Sequence, residues 1–216
     1  MRVAAAVGSV FYRSIVFIAR DLTDPPPVIR SSLPVEIRLL DVGDADAWRR
    51  HRADLEPSRI EDRLARLGRG HACVAAWLEG EIVASVWFAV DEARIPEIGR
   101  HFMLRPGEVF AYDSYTNESE RSHGIATARA VWTARYLRDQ GYERVIGHLR
   151  PENRPGFGPP ARAGYSEIGS AGYVRLWPLR WDFVRPVGRR RRWSRREEPI
   201  DLAADLGLPH RTRGEG

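Results

Sequence analysis

The sequence has 216 residues, 43% hydrophobic and 29% charged, a balance that suits one globular domain with a sizeable core and excludes a fibrous or disordered chain. Its formal charge of +5 is concentrated: Arg185, Arg189, Arg190, Arg191, Arg192, Arg195 and Arg196 lie in one stretch, and without them the rest carries −2, which argues against a basic nucleic-acid-binding body. A single cysteine, Cys73, excludes an intrachain disulfide and fits a reducing compartment.

All 34 basic side chains are arginine, which together with abundant Ala, Gly and Pro reads as codon pressure in a GC-rich bacterial genome. Val3 to Phe11 is apolar but shorter than the ~20 residues of a membrane span. It also lacks the dense positive start and small-residue cleavage site of a signal peptide, so a cytoplasmic protein is expected.

Residues 9–22 are rich in Val, Ile, Phe and Tyr, which predicts a strand, and Pro25, Pro26 and Pro27 open a linker. Residues 1–30 are therefore set apart as an N-terminal strand and Pro-rich linker. Val35 to Leu40 predicts a strand and Asp44 to Arg52 a helix. A second helix is placed at Ser58, where Glu61 completes a capping box, and Gly68 and Gly70 end it. Ala72 to Leu78 and Ile82 to Val90 read as a hairpin turning at Glu79-Gly80. Cys73, within the run from His71 to Ala76, reads as a buried structural thiol rather than a nucleophile.

Residues 91–107 read as irregular and Val109 to Thr116 as a strand. From Gly124 to Gln140, Ile125, Ala128, Val131, Trp132, Tyr136 and Leu137 share one face at helical spacing, and Gly141 stops the helix. Tyr142 to Leu149 is an apolar strand. Residues 153–164 form a turn or short helix, with Pro155, Pro159 and Pro160 arguing against a regular one. Two strands fall within Tyr165 to Trp181. The core domain is thus 31–184, and the Arg-rich segment 185–216 is expected to be a disordered, solvated tail with a short helix at Ile200 to Leu206. The order predicts a mixed α/β (α+β) fold in which a helix crosses between two parallel strands.

The segment Arg121-Ser122-His123-Gly124-Ile125-Ala126 lies between a strand and the start of the long helix. A helix N-terminus exposes unpaired N–H groups and a partial positive charge, which suits phosphate. Gly124 permits close backbone approach, Ala126 keeps the first turn free of bulk, and Arg121 adds a charged donor. The turn therefore predicts a pyrophosphate site.

The same segment resembles the acetyl-CoA-binding motif of the GNAT superfamily, Gln/Arg-x-x-Gly-x-Gly/Ala. Asn153 follows the next strand, and Gly164-Tyr165 follows Asn153 as in many members. The resemblance covers about residues 35–181. It implies a mostly antiparallel sheet with one splayed parallel strand pair and flanking helices. It also implies direct transfer of an acyl group, acetyl above all, from a CoA thioester to an amine. Tyr115 and Thr116 would hydrogen-bond the pantetheine arm through their backbone, and Asn153 would join Arg121 to Ala126 in holding the coenzyme.

A protonated amine needs a base, for which Asp113 and Glu108 are the candidates and His101 and His123 weaker ones. The position where the family often carries a tyrosine that protonates the leaving thiolate is Pro160 here, so Tyr165, Tyr112 or water would substitute. Two alternatives stand beside acetyl transfer: a longer acyl chain, and a GNAT-like binding or regulatory module without turnover. The tryptophans read as core, no metal-ligand spacing is present, and nucleic acid is disfavoured as a partner. The acceptor would be chosen by residues 44–70, 91–107 and 153–175; its identity and the oligomeric state do not follow from the sequence.

Overall fold

The computed structural model describes residues 10–194, 200–206 and 208. The apolar start up to Ser9, Arg195 and Arg196 lie outside them. The elements are β1 (Val10–Asp21), β2 (Glu36–Leu39), α1 (Ala45–His51), α2 (Pro57–Leu64), β3 (Ala72–Leu78), β4 (Glu81–Ala89), β5 (Glu92–Ile95) and β6 (Arg100–Met103). There follow β7 (Glu108–Thr116), α3 (Ile125–Asp139), β8 (Arg144–Leu149), α4 (Arg154–Arg162), β9 (Ser166–Leu176), β10 (Leu179–Pro186), β11 (Arg192–Ser194), β12 (Ile200–Asp201) and α5 (Leu202–Leu206).

Nine strands form one sheet in the order β11-β10-β9-β1-β8-β7-β4-β3-β2. Within it β7 and β8 are parallel and their neighbours antiparallel, so the mixed architecture expected from the element order is present. The crossover between β7 and β8 is α3, as a parallel connection requires.

Several local expectations need correcting. The segment set apart as 1–30 is no appendage in its described part: β1 lies inside the sheet, antiparallel to both β8 and β9. The helix placed at Ser58 begins at Pro57, with Glu56 as N-cap and no side-chain cap. Proline at the first position supplies the fixed φ and loses nothing, and Glu61 instead pairs with Arg49 at 2.8 Å. Residues 91–107 are not irregular, for β5 and β6 pair with each other and β12 joins β6. Despite its prolines 153–164 holds the nine-residue helix α4, in which Pro159 and Pro160 have no N–H to offer the carbonyls of Pro155 and Gly156. The Arg-rich segment is built into the fold over 192–194 and 200–206, where Arg191 lies 4.3 Å over the Phe183 ring and Arg192 pairs with Asp205 at 3.0 Å.

The sheet is covered on both faces. On one, Ala134 and Leu137 of α3 pack on Val74, Val86, Val109 and Val145. On the other, α1 and α2 bring Trp48 and Ile60 against Cys73, Trp77 and Trp87, while β5 and β6 bring Ile95 and Phe102 against Phe17, Phe110 and Ile146. Cys73 is fully buried and burial pushes its thiol pKa up, consistent with a packing role. β1 is closely engaged: Phe17 is wholly buried and meets Phe102 edge to face at 5.2 Å, and an added Cβ at Gly172 on β9 would lie 2.1 Å from the Arg13 carbonyl.

If β1 is a structural member of the core, Phe17→Ala should destabilise the protein by about 3–5 kcal/mol. Urea unfolding measures this; a loss below about 1 kcal/mol would show that the strand is dispensable.

Candidate functional site

Pairing between β7 and β8 runs from Glu108–Arg144 to Ala111–Gly147 and stops, although β7 continues to Thr116 and β8 to Leu149. The cause lies on the other edge of β7. Against β4 the register passes from Ser85–Tyr115 to Trp87–Tyr112, so Asp113 and Ser114 face the single residue Val86. This bulge, with Asp113 at φ 50°, bends the strand away from its parallel partner.

Arg129 of α3 fills the bend. It is 3% exposed and donates to the Tyr115 carbonyl (3.0 Å), the Ser114 hydroxyl (2.6 Å) and the Ser85 carbonyl. Among the described residues no carboxylate pairs with it, and burial lowers its pKa to about 10, so it stays a cation at neutral pH. His51, which bonds the Ser85 hydroxyl through Nε2 at 3.0 Å, is packed behind the same bend. Sequence reasoning missed both, since nothing local distinguishes Arg129 from a solvated helix arginine.

One turn earlier the chain enters α3 with Ser122 and Gly124 in the left-handed region, at φ 70° and 77°. Gly124 is the N-cap and no side chain caps the helix. The amides of Ile125, Ala126 and Thr127 therefore have no helical acceptor. Ser122, Gly124, Ile125, Ala126 and Thr127 line a cavity of about 1110 Å³ that continues along Tyr115, Thr116, Leu149 and Asn153. The predicted phosphate turn thus opens into the gap between the two strands.

His123 does not line the cavity; its carbonyl accepts from the Ser32 amide (3.0 Å) and the Ser31 hydroxyl (2.9 Å), tying the Pro-rich linker to the turn. Arg121 lines it but turns its guanidinium to Glu118 (3.0 Å) and the Thr116 carbonyl (3.3 Å), so the sequence-derived phosphate donor is engaged elsewhere. A cation unforeseen from sequence, Arg162 of α4, reaches Thr127 Oγ1 at 3.2 Å. The carbonyl of Tyr115 serves Arg129 and that of Thr116 serves Arg121, leaving neither wholly free for a pantetheine arm.

Of the expected bases, Glu108 is misplaced. It is 4% exposed at the zipped end of the strand pair, bonded to Arg144 at 2.8 Å and to the Arg105 amide at 3.1 Å. Asp113 lines the cavity but is ringed by Arg63 (2.6 Å), Arg66 (2.9 Å) and Arg52 (3.9 Å). Burial alone would raise its pKa; the Arg63 and Arg66 guanidiniums outweigh that and hold the carboxyl below its usual range, making it a weak proton acceptor. His101 sits on β6 opposite Arg94, outside the cavity lining.

Tyr165 does line the cavity, next to Pro160, and burial pushes its phenol pKa up so that it keeps its proton. Tyr112 also lines it, with its pKa raised by burial to about 12 and its hydroxyl 2.7 Å from His71 Nδ1. Two further residues of the lining were not singled out: Glu97, from the turn between β5 and β6 within the 91–107 stretch expected to choose the acceptor, and His148 at the end of β8. A polar residue closing an apolar strand just after a crossover helix was the available sign for His148, because ligands gather at the carboxyl ends of parallel strands. Nothing local marked Glu97. Among the described residues no cluster of three His, Cys, Asp or Glu side chains fits a metal ion, and no helix is long and apolar enough to cross a membrane.

The model of the acetyltransferase (GNAT) family matches residues 38–157. No curated protein sequence matches the chain. Similar solved structures include a GCN5-related N-acetyltransferase from Sphaerobacter thermophilus, at 18% identity and TM-score 0.54, covering 89% of this chain and 54% of that one. Another is a GCN5-related N-acetyltransferase from Kribbella flavida, at 13% identity and TM-score 0.52, covering 79% and 60%. A third is the GCN5-related glucosamine N-acetyltransferase region of a fungal multi-domain GH3 β-N-acetylglucosaminidase, at 12% identity and TM-score 0.56, covering 76% and 21%. The chain spans less than two thirds of each of these relatives, and at such identities the likeness is one of fold.

The buried His51 has a pH consequence. Burial, reinforced by Arg52, lowers its pKa from 6.5 to about 4 in the folded protein. A folded value below the unfolded one gives stability that is complete above about pH 6.5 and lost as pH falls toward 4, to the extent of about 3 kcal/mol. Urea unfolding at pH 7 and pH 4.5 should show this loss in the parent and a smaller one in His51→Gln; equal losses would place the histidine in solvent.

Proposed function

Because the chain belongs to the acetyltransferase (GNAT) family, we propose that it moves an acyl group, acetyl in the simplest case, from a CoA thioester directly to an amine. The observation that carries this is the uncapped start of α3, whose free amides open into the gap where β7 and β8 part. A nucleotide diphosphate placed on the amides of Ser122 to Thr127 gains hydrogen bonds from groups that otherwise have none, with Arg162 adding charge. The cavity, about 1110 Å³, exceeds the usual upper range of about 1000 Å³ for drug-sized ligands, as a long thioester requires.

In such a pose the pantetheine arm lies in the gap and completes the strand pairing that the bulge prevents. A β7 amide facing the thioester oxygen would stabilise the developing oxyanion; losing one donor of that kind costs about 3–4 kcal/mol. Holding thioester and amine together contributes roughly 7–11 kcal/mol more. Positioning therefore does most of the work, and no covalent intermediate on the protein is needed. Tyr165, a protonated phenol in the lining, stands where it can serve the departing sulfur in place of the missing hydroxyl at Pro160.

One observation favours a second reading, in which the fold binds CoA without turnover: Pro160 offers no proton donor at the position that usually has one. Thiol release from acetyl-CoA over a broad amine panel separates the two.

The site itself is tested by Gly124→Val. A β-branched residue at φ 77° is strained, and its methyls would crowd Arg30 and Ser31, whose backbones a Cβ meets at 3.7 Å. Calorimetry should show acetyl-CoA binding to the parent and binding weakened by at least about tenfold, or 1.4 kcal/mol, in the variant with its fold intact. Absence of binding to the parent at millimolar acetyl-CoA would overturn the assignment.

A further inference from the structure

We propose that His148, oriented by Glu97, accepts the proton of the attacking amine on the face of the sheet opposite the phosphate turn; this rests on the acyl-transfer reading above.

Side-chain alternation places the imidazole. On β8, Val145 packs in the cluster beneath α3, whereas Ile146 packs with Phe17, Phe110 and Phe102 on the opposite face. His148, two residues on from Ile146, projects to that same face. Its ring stacks on Phe110 with centroids 5.6 Å apart and planes 6° from parallel. Gly147, the last residue paired to β7, has no side chain, so His148 is the first group on this face beyond the point where the strands part. One continuous cavity is lined by the α3 turn and by Tyr112, Glu97 and His148, so it passes through the gap. A thioester whose phosphates rest on α3 would present its carbonyl in this gap, and an amine arriving from the other face would meet His148.

Glu97 holds the ring's environment. Its Oε2 lies 3.9 Å from His148 Nε2 and its Oε1 3.6 Å from Arg150 Nε. The His148 contact is the main cause that lowers the Glu97 pKa to about 2, with Arg150 contributing, so the group is a carboxylate at neutral pH. Nδ1 of His148 is buried and has no hydrogen-bond partner among the described residues, so Nε2, 3.9 Å from Glu97 and thus not held in a direct hydrogen bond by it, is the nitrogen an amine can reach. The charged and titratable groups facing the site are Glu97 from the β5–β6 turn, Arg150 beyond β8, Tyr112 and Asp113 from β7, and Arg180 of β10, which donates to the Ile98 carbonyl of the same turn at 2.7 Å. The other candidate bases are committed or lie elsewhere: Asp113 pairs with arginines and Glu108 with Arg144, while His101 and His123 are outside the lining.

In the step itself the amine nitrogen bonds the thioester carbon, and its proton passes to the imidazole. The carbon–sulfur bond then breaks with its electron pair on sulfur. Where solvent protonates the CoA thiolate, the imidazolium returns its own proton to solvent; where Tyr165 does so, the imidazolium's proton, relayed by water, restores the phenol.

The test uses the full chain, acetyl-CoA, and the standard amino acids, putrescine, spermidine, glucosamine and a lysine-bearing peptide as amines, with thiol release measured against pH. His148→Gln should lower kcat by roughly 100-fold with the KM for acetyl-CoA little changed. It should also abolish the acid limb of the parent's pH profile. Glu97→Gln, which removes the charge beside the ring but not the ring itself, should lower kcat by a smaller factor than His148→Gln, and added imidazole should restore part of the activity of His148→Ala. Retention of the limb and of most of kcat in His148→Gln would overturn the proposal. So would a parent that binds acetyl-CoA in the calorimeter yet releases no thiol with any amine, which leaves the coenzyme site standing. A parent that does not bind acetyl-CoA removes the functional reading itself.

Discussion

A buried guanidinium wedged into a bulged strand is the interaction on which the site depends. Leaving an arginine in the interior without a carboxylate is costly unless its N–H groups find acceptors. Arg129 finds three of them in the Tyr115 and Ser85 carbonyls and the Ser114 hydroxyl, at and beside the bulge, while its Nε has no partner among the described residues. The irregular strand and the buried charge thus satisfy one another. Because Arg129 belongs to the second turn of α3, the same contact fixes where that helix begins relative to the bend in β7. The exposed amides and the strand gap are therefore parts of one rigid arrangement.

The two faces of the sheet divide the chemistry around this gap. The α3 side is cationic and rich in unpaired N–H groups, suited to phosphates. The opposite side carries the Glu97–His148 pair and the closed network of Asp113 with Arg52, Arg63 and Arg66. That network neutralises the one carboxylate of β7 inside the cavity, which is why a residue well placed in sequence makes a poor base. The pair that remains joins Glu97, from a short hairpin lying against the sheet, to His148 of β8 within it.

Legibility from sequence followed locality. The turn at Arg121 to Ala126 and its helix were readable because the glycine, the small residue and the helical spacing all lie within one segment. The hairpin at Glu79-Gly80 was readable for the same reason. By contrast β5 and β6 are four residues each and draw their stability from Phe17 and Ile146 across the chain, so residues 91–107 carried no pattern of their own. Ser58 and Glu61 form a capping box in letters only, since Pro57 already starts the helix and Glu61 serves Arg49. Glu97 comes from a turn and His148 from a strand distant in sequence, and they meet only through tertiary packing. Neither Glu108 nor Asp113 revealed in sequence that arginines from distant elements would claim them.

The interior position of β1 carries a consequence for biosynthesis. Val10 to Asp21 leaves the ribosome before the other strands of the sheet, yet both strands that flank it are among the later ones to be made. Until β8 and β9 emerge, a nascent chain must keep an apolar segment with two unsatisfied edges from pairing with anything else. Closing the sheet therefore waits until the span from Asp21 to Ser166 has been made. The arrangement makes synthesis of β9, rather than of any early part of the chain, the condition for a sheet without a hole at its centre.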